Sequence, residues 1–220
     1  MTTTLPIERL RNLQKNIAAK TITEDFFERP LRRVAGADVA YSDSKAYAAI
    51  VITELPSFKV VEETVYTGKA PIPYIPGLLA FREGPLILKA LKNVRSRFQV
   101  LLINGHGIAH PLRCGLATYV GVLAGKPTVG VAGKLLVGYV LRRPEKVLEY
   151  TPIWFEEEVV GYCLKPRGRG KPIYVSPGHL VSLEGALDIA IASLGRYRMP
   201  EPLRLAHIAA NRARRTDKDF

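Results

Sequence analysis

The run QVLLIN, residues 99–104, constrains the fold more than any other stretch. Val100 to Ile103 offer apolar side chains to both faces of a strand, as strands buried within a parallel sheet do. A segment of helical character, PLRCGLATYVGVLAG, follows it and is ended by Gly125. PTVGVAG then reads as a further strand. Upstream, RRVAGADVAYS, AYAAIVITEL and FKVVEETVY read as three strands in quick succession, with a polar turn at 42–45 and a Pro-Ser turn at 56–57. Residues 6–28 read as helical on the spacing of Leu10, Leu13, Ile17 and Ala18.

APIPYIPG interrupts this pattern. LLAFRE resumes it as a helix, and Gly84-Pro85 starts another with the proline in its first turn. EEVVGYCLKPRGRGKPIYVS reads as a hairpin with a basic tip at 166–171, where Arg167, Arg169 and Lys171 are candidates to meet phosphates. SLEGALDIAIASLG is a helix capped by Ser182, and RLAHIAANRARRTDKDF begins helical and trails into a basic tail. There is no internal repeat and no break of linker length. The expectation is one α/β domain over residues 1–220, a mixed sheet with helices on its faces.

Charge narrows the partners. Lys and Arg number 32 against 20 Asp and Glu, a formal net charge of +12. Such a balance favours a polyanion, and nucleic acid over membrane, because no basic amphipathic anchor is evident. A basic surface with nothing to bind remains the competing reading. No apolar run reaches the roughly 18 residues of a membrane span. The charged, polar N-terminus lacks the apolar stretch of a signal peptide. Cys114 and Cys163 have no metal-ligand spacing and are expected to be reduced thiols. A cytoplasmic monomer is expected.

Three polar groups stand out against the apolar frame. Asp38 lies amid Val and Ala in VAGADVAY, a costly place for a charge unless a cation or donors meet it. Glu83 ends LLAFRE, where the Gly-Pro break would turn it inward, and Asn104 closes the VLLI strand. Polar groups at the carboxyl ends of adjacent strands mark the usual place for a site. Two carboxylates and an amide oxygen there suit Mg²⁺ or Mn²⁺, and equally suit structural polar groups with satisfied hydrogen bonds.

The stretches VAGADVAY, PYIPGLLAFREGP, GHGIAHPLRCGLA, GKPTVGVA and VSPGH, with PEPLRLAH at 200–207, resemble the motif series of the endonuclease V family in its order. The resemblance implies an RNase H-like fold, and Mg²⁺-dependent hydrolysis of a phosphodiester 3′ to a deaminated base, inosine above all, in DNA or RNA. It implies catalytic roles for Asp38, Glu83, Asn104 and His207, with the first three at the metal. It places Pro73, Tyr74, Ile75 and Pro76 in a wedge that fills the space of the extracted base, and Arg82 and His110 at the nucleic acid. Prolines would stiffen the loop so that Tyr74 stacks at little entropic cost. A poorly paired base costs less to extract, which favours deaminated lesions. Gly77, Gly105 and Gly107 would let backbone approach base and phosphate closely. His110, preceding Pro111, also has a plain structural reading as a backbone hydrogen-bonding group near a helix start.

Three positions depart from the family pattern. Asn104 stands where an Asp is usual, Gly133 where a lysine near the scissile phosphate is usual, and Tyr119 where a histidine is frequent. Lys134 adjoins Gly133, but neighbours on a strand point to opposite faces. Cys114 and Tyr119 are expected to pack. Two functions therefore stand: a deaminated-base endonuclease, or a homologue that binds such lesions without efficient cleavage.

Overall fold

The computed structural model describes residues 6–42, 45–167 and 170–217. Eight strands form one sheet in the order β3-β2-β1-β4-β5-β8-β7-β6. The strands are β1 (Arg33–Tyr41), β2 (Ala46–Glu54), β3 (Val60–Gly68), β4 (Val100–Asn104), β5 (Thr128–Ala132), β6 (Tyr150–Phe155), β7 (Glu158–Leu164) and β8 (Ile173–His179). β1, β4 and β5 run parallel, and the outer strands pair antiparallel. Val100–Ile103 are fully buried, as a run apolar on both faces requires.

Side-chain alternation divides the core into two layers. Ala35, Ala37, Leu101 and Ile103 face a layer built with α1 (Ile7–Ala18), α2 (Leu79–Leu91) and α3 (Leu116–Ala124). Val34, Val100, Leu102, Val129 and Val131 face the opposite layer, built with α4 (Leu183–Ala192) and the first turn of α5 (Glu201–Thr216). Helices thus cover both faces. Gly36 brings α5 onto β1: a side chain there would run into the Pro202 carbonyl group. That close approach sets His207, one and a half turns on, above β1.

Several sequence expectations shift. The N-terminal helix ends at Ala18 rather than near 28, because the apolar spacing stops there and residues 28–33 are held instead by Gln99. α2 is continuous through Pro85, so Glu83 lies inside a helix and not at a break. Residues 111–115 are not helical: Gly115 and Ala117 donate to the carbonyls of Gly107 and His106, which folds this segment back on the loop after β4. β6 went unrecognised because Pro152 obscures it, and an edge strand tolerates that proline. The 158–179 hairpin forms as expected; Arg169 of its tip, and residues 43–44 of the first turn, lie outside the described residues. Among the described residues no helix is long and apolar enough to cross a membrane.

Candidate active site and nucleic-acid interface

The site begins with an uneven sheet edge. Ala37 pairs with Ile103, so Asp38 comes level with Asn104, where β4 stops while β1 runs on to Tyr41. Both side chains continue the face that Val34 and Leu102 occupy. Asp38 is 7% exposed and its two oxygens are both met. Asn104 Nδ2 donates to Oδ1 at 2.9 Å, and His207 Nδ1 lies 2.7 Å from Oδ2. His207 itself is exposed, with its outer nitrogen 3.2 Å from Asn211 Nδ2.

Glu83 enters from α2, whose packing face belongs to the other layer, at the margin where β1 outruns β4. It accepts a hydrogen bond from the Tyr41 hydroxyl at 3.2 Å. Burial, and then the charge of Asp38, push its carboxyl up to about 8. Burial and the neighbouring Glu83 push Tyr41 upward in turn. A buried carboxyl raised by burial and by the Asp38 charge beside it marks a corner where positive charge is stabilising. The structure therefore brings Asp38, Glu83, Asn104 and His207 together. Asn104, however, turns its amide nitrogen to Asp38, which an aspartate could not do. Its amide oxygen has no hydrogen-bond partner among the described residues.

The loop 71–77 stands beside this corner. Tyr74 is 67% exposed at its tip, while Ile75 packs against the core and its carbonyl accepts from Leu78 N–H. Arg82 fixes the base of the loop by donating to the Ile72 carbonyl at 2.7 Å, its guanidinium lying 4.3 Å from the centre of the Tyr41 ring. The Gly77 carbonyl is held by Gln14 Nε2 and His110 Nε2, each at 3.1 Å. Gly77 itself has φ +80 with open space around it, so its requirement is the left-handed turn and not close approach. A cavity of about 330 Å³ beside the loop is lined by Lys45, Lys69 and Arg82.

Other expected contacts resolve as internal ones. His110 is buried with both ring nitrogens on backbone: Nδ1 accepts from Leu112 N–H at 3.1 Å and Nε2 donates to Gly77. Burial lowers it to about 4. Any effect of His110 on nucleic acid passes through the placement of Gly77. Gly105 and Gly107 are buried, and a side chain at 107 would meet the Pro177 carbonyl, so the tight approach there is the protein's own. His106 faces the Lys134 carbonyl and His179 accepts from Ile22 N–H, both away from the acids. Cys114 is buried, and Tyr119 packs edge-on against Phe81 beside Gly84, as expected.

Residues invisible to sequence reading complete the picture. Gly133 lies one residue past β5 on the face of Val129 and Val131, the face of Asp38 and Asn104. The space above it belongs to Arg198, whose Nη2 donates to the carbonyls of Gly133 (3.0 Å) and Pro172 (2.9 Å) while Nε donates to Lys171 (2.9 Å). Sixty-five residues separate Arg198 from Gly133, and nothing local signals the meeting. Tyr41 closes a quoted motif and could have been noted; Gln14, fully buried on a largely exposed helix, could not.

A mixed sheet covered by helices on both faces, with acids at the ragged end of its central strands, has close counterparts among known proteins. A crystal structure of endonuclease V from Streptomyces avermitilis superposes with a TM-score of 0.89 at 34% identity, covering 96% of this chain and 94% of that one. The fold is RNase H-like, the fold of the endonuclease V structures. In sequence, the endonuclease V family model matches residues 15–208. A curated endonuclease V from Thermofilum pendens is 44% identical over 218 residues, 97% of this chain and 93% of the relative. This chain belongs to the endonuclease V family. A further structure, the Ciona intestinalis enzyme at 28% identity and TM-score 0.83 over 96% of this chain and 98% of its own, holds a DNA containing an inosine followed by a ribo-adenosine.

Proposed function

We propose that this chain is a divalent-metal-dependent endonuclease that recognises deaminated bases, inosine above all, in DNA or RNA and hydrolyses a phosphodiester on the 3′ side. The observation that carries the reading is the shielded Asp38–Glu83 pair set beside an exposed, rigidly based Tyr74. The inosine-containing DNA held by the Ciona intestinalis relative supports the substrate class.

The donors fit a hard cation. Oxygen ligands suit Mg²⁺ or Mn²⁺, and a cation there would offset the burial and the Asp38 charge that push Glu83 upward. Asp38 and Glu83 would hold the ion, with the uncommitted amide oxygen of Asn104 as a neutral third donor. A divalent ion so held supplies an acidified water and neutralises phosphate charge. His207, its Nδ1 2.7 Å from Oδ2, orients the Asp38 carboxylate. Tyr41 orients Glu83 by donating its hydroxyl to it at 3.2 Å. Tyr74 fills the gap left by the extracted base, and Arg198 presents a fixed guanidinium on the catalytic face where Gly133 offers no side chain.

The hydrogen bond from Asn104 to Asp38 favours a second reading, a homologue that holds the lesion but cuts poorly. It ties up an oxygen of the main carboxylate and brings no charge of its own. Incubating inosine-containing DNA and RNA with Mg²⁺ or Mn²⁺ and reading cleavage and retention separates the two. Metal-dependent cutting supports the endonuclease; retention without cutting supports the binder. Neither one, on either nucleic acid, would overturn both.

A further inference from the structure

At the opposite end of the parallel strands from Asp38 lies a second, larger concavity. It is a cleft of about 1210 Å³ where the sheet begins, bounded by residues 26–33 on one side and 91–99 on the other. Six cations line it, Arg29, Arg32, Arg33, Arg95, Arg97 and Lys126, against two carboxylates, Glu28 and Glu54. Glu54 is spent on Arg33 at 3.0 Å, and Arg29 is drawn aside by Asp25 at 3.3 Å. Arg32, Arg95, Arg97 and Lys126 have no acidic partner among the described residues.

The walls are pre-set while these side chains are left over. Gln99 makes four hydrogen bonds across one wall: its oxygen accepts from Arg32 and Arg33 N–H (2.6 and 2.9 Å), and its nitrogen donates to the Glu28 and Pro30 carbonyls (2.6 and 2.8 Å). Glu62 holds the other wall by accepting from Arg95 and Ser96 N–H at 2.9 and 2.6 Å. At the lip, Phe26 is 58% exposed. Fixed backbone, unpaired guanidinium groups and an exposed aromatic ring together match single-stranded nucleic acid, whose phosphates meet cations and whose bases stack. A folded protein partner would leave so much like charge unmatched unless it were strongly acidic.

We infer that this cleft is a second nucleic-acid site, which seats a single-stranded stretch of the same substrate away from the cut. The inference rests on the proposed function for its ligand class. Five residues of β1 separate Arg33 from Asp38, about 17 Å at strand rise. At about 3.4 Å per nucleotide of a stacked strand, a strand seated in both sites extends about five nucleotides beyond the reacting phosphodiester, and fewer where it is unstacked. Length of substrate, and not only the lesion, then governs affinity.

The test compares wild type with an Arg32→Gln/Arg95→Gln/Arg97→Gln variant, with folding checked by circular dichroism. Fluorescence anisotropy follows a short inosine oligonucleotide that ends directly beyond the reacting phosphodiester and a long one. Wild type should bind the long strand about tenfold or more tightly than the short one. The variant should lose that advantage, with a salt slope smaller by about 2, near 0.7 per phosphate contact. Cleavage of the short strand should be unchanged. Phe26→Ala should weaken single strands more than duplexes. A length advantage and salt slope that survive in the triple variant would overturn the second site. Inorganic polyphosphate that competes undiminished, with Phe26→Ala indifferent to the strand, would show a general anion cleft and overturn the assignment to nucleic acid. If no inosine strand is cut, the endonuclease reading fails separately, because inosine-free single strands still report the cleft.

Discussion

The proposed catalytic corner and wedge loop lie side by side and are built in opposite ways. The corner is carried on β1, β4 and α2, its acids are shielded, and its polar atoms are largely engaged with one another. The wedge is carried on a loop, its working ring is exposed, and its support comes from side chains elsewhere: Arg82, Gln14 and His110. Two of the three departures from the family pattern, Asn104 and Gly133, fall on the corner side, while PYIPG is complete. A corner that works by charge is altered by one exchanged atom, from oxygen to nitrogen. A loop that works by shape is insensitive to charge but depends on its distant supports. Under the proposed function grip and cut are then separable in this chain, and substitutions on either side should show it.

The largest effect should come from Asp38→Ala. It removes a carboxylate and leaves Asn104 and His207 without their shared acceptor. Single-turnover cleavage should fall about a thousandfold, matching the several kcal/mol of charge stabilisation a bound metal supplies, while retention of inosine strands persists. Loss of retention in proportion would mean that grip and cut are one function. Next, Tyr74→Ala should reduce the preference for inosine-containing over normal strands by about 1–3 kcal/mol, the worth of a base–aromatic stack. An unchanged ratio of the two affinities would reduce Tyr74 to a turn residue.

The wedge's support carries a pH signature. His110 is lowered to about 4 by burial, below the roughly 6.5 of an exposed imidazole. The unfolded chain therefore binds a proton before the folded one does. His110 costs no stability above pH 6.5, and stability falls as pH drops from there toward 4. At pH 5 the loss is about 2 kcal/mol. Urea melts at pH 7 and pH 5 should show it in wild type and show less of it in His110→Gln. Equal losses would place the acid sensitivity elsewhere.

Much of this was readable in the residues, and the remainder failed for identifiable reasons. The doubly apolar VLLI run announces a central parallel strand, and alternation in RRVAGADVAY puts Asp38 in the middle of the first strand. Asp38, Glu83, Asn104 and His207, widely spaced in sequence, meet at one corner, although Glu83 is expected at a helix break and lies in an unbroken helix. Local propensity weighed Gly84-Pro85 as a stop, but packing of α2 against β2 and α3 overrides it. Glycines at 105 and 107 carry no mark distinguishing an approach to ligand from an approach to Pro177. Arg198 over Gly133 joins distant segments, and such meetings have no local period or spacing.

The smallest expected effect is the sharpest probe of the corner. Asn104→Asp exchanges a donor for an acceptor at 2.9 Å from Asp38 Oδ1, so a hydrogen bond becomes a like-charge contact, with Glu83 a third carboxyl nearby. Without metal, the variant should melt lower, by about 1–2 kcal/mol in stability, as paired carboxylates at close range resist joint ionisation. With Mg²⁺ the same charge becomes affinity, since ligand charge count tunes divalent binding, and the ion stabilises the folded state in proportion. Calorimetry should show Mg²⁺ affinity up by about tenfold, ~1.4 kcal/mol, and melting should rise further with Mg²⁺ than in wild type. Cleavage should increase by less than affinity, because the cation over Gly133 is Arg198, clamped to three carbonyls and unable to follow a moving phosphate. Adding Gly133→Lys should then recover part of the remaining rate, as a side chain there meets only Arg198, at 3.5 Å. Equal Mg²⁺ affinity in wild type and Asn104→Asp would put residue 104 outside the metal shell, and would leave Asp38 and Glu83 to hold the ion alone.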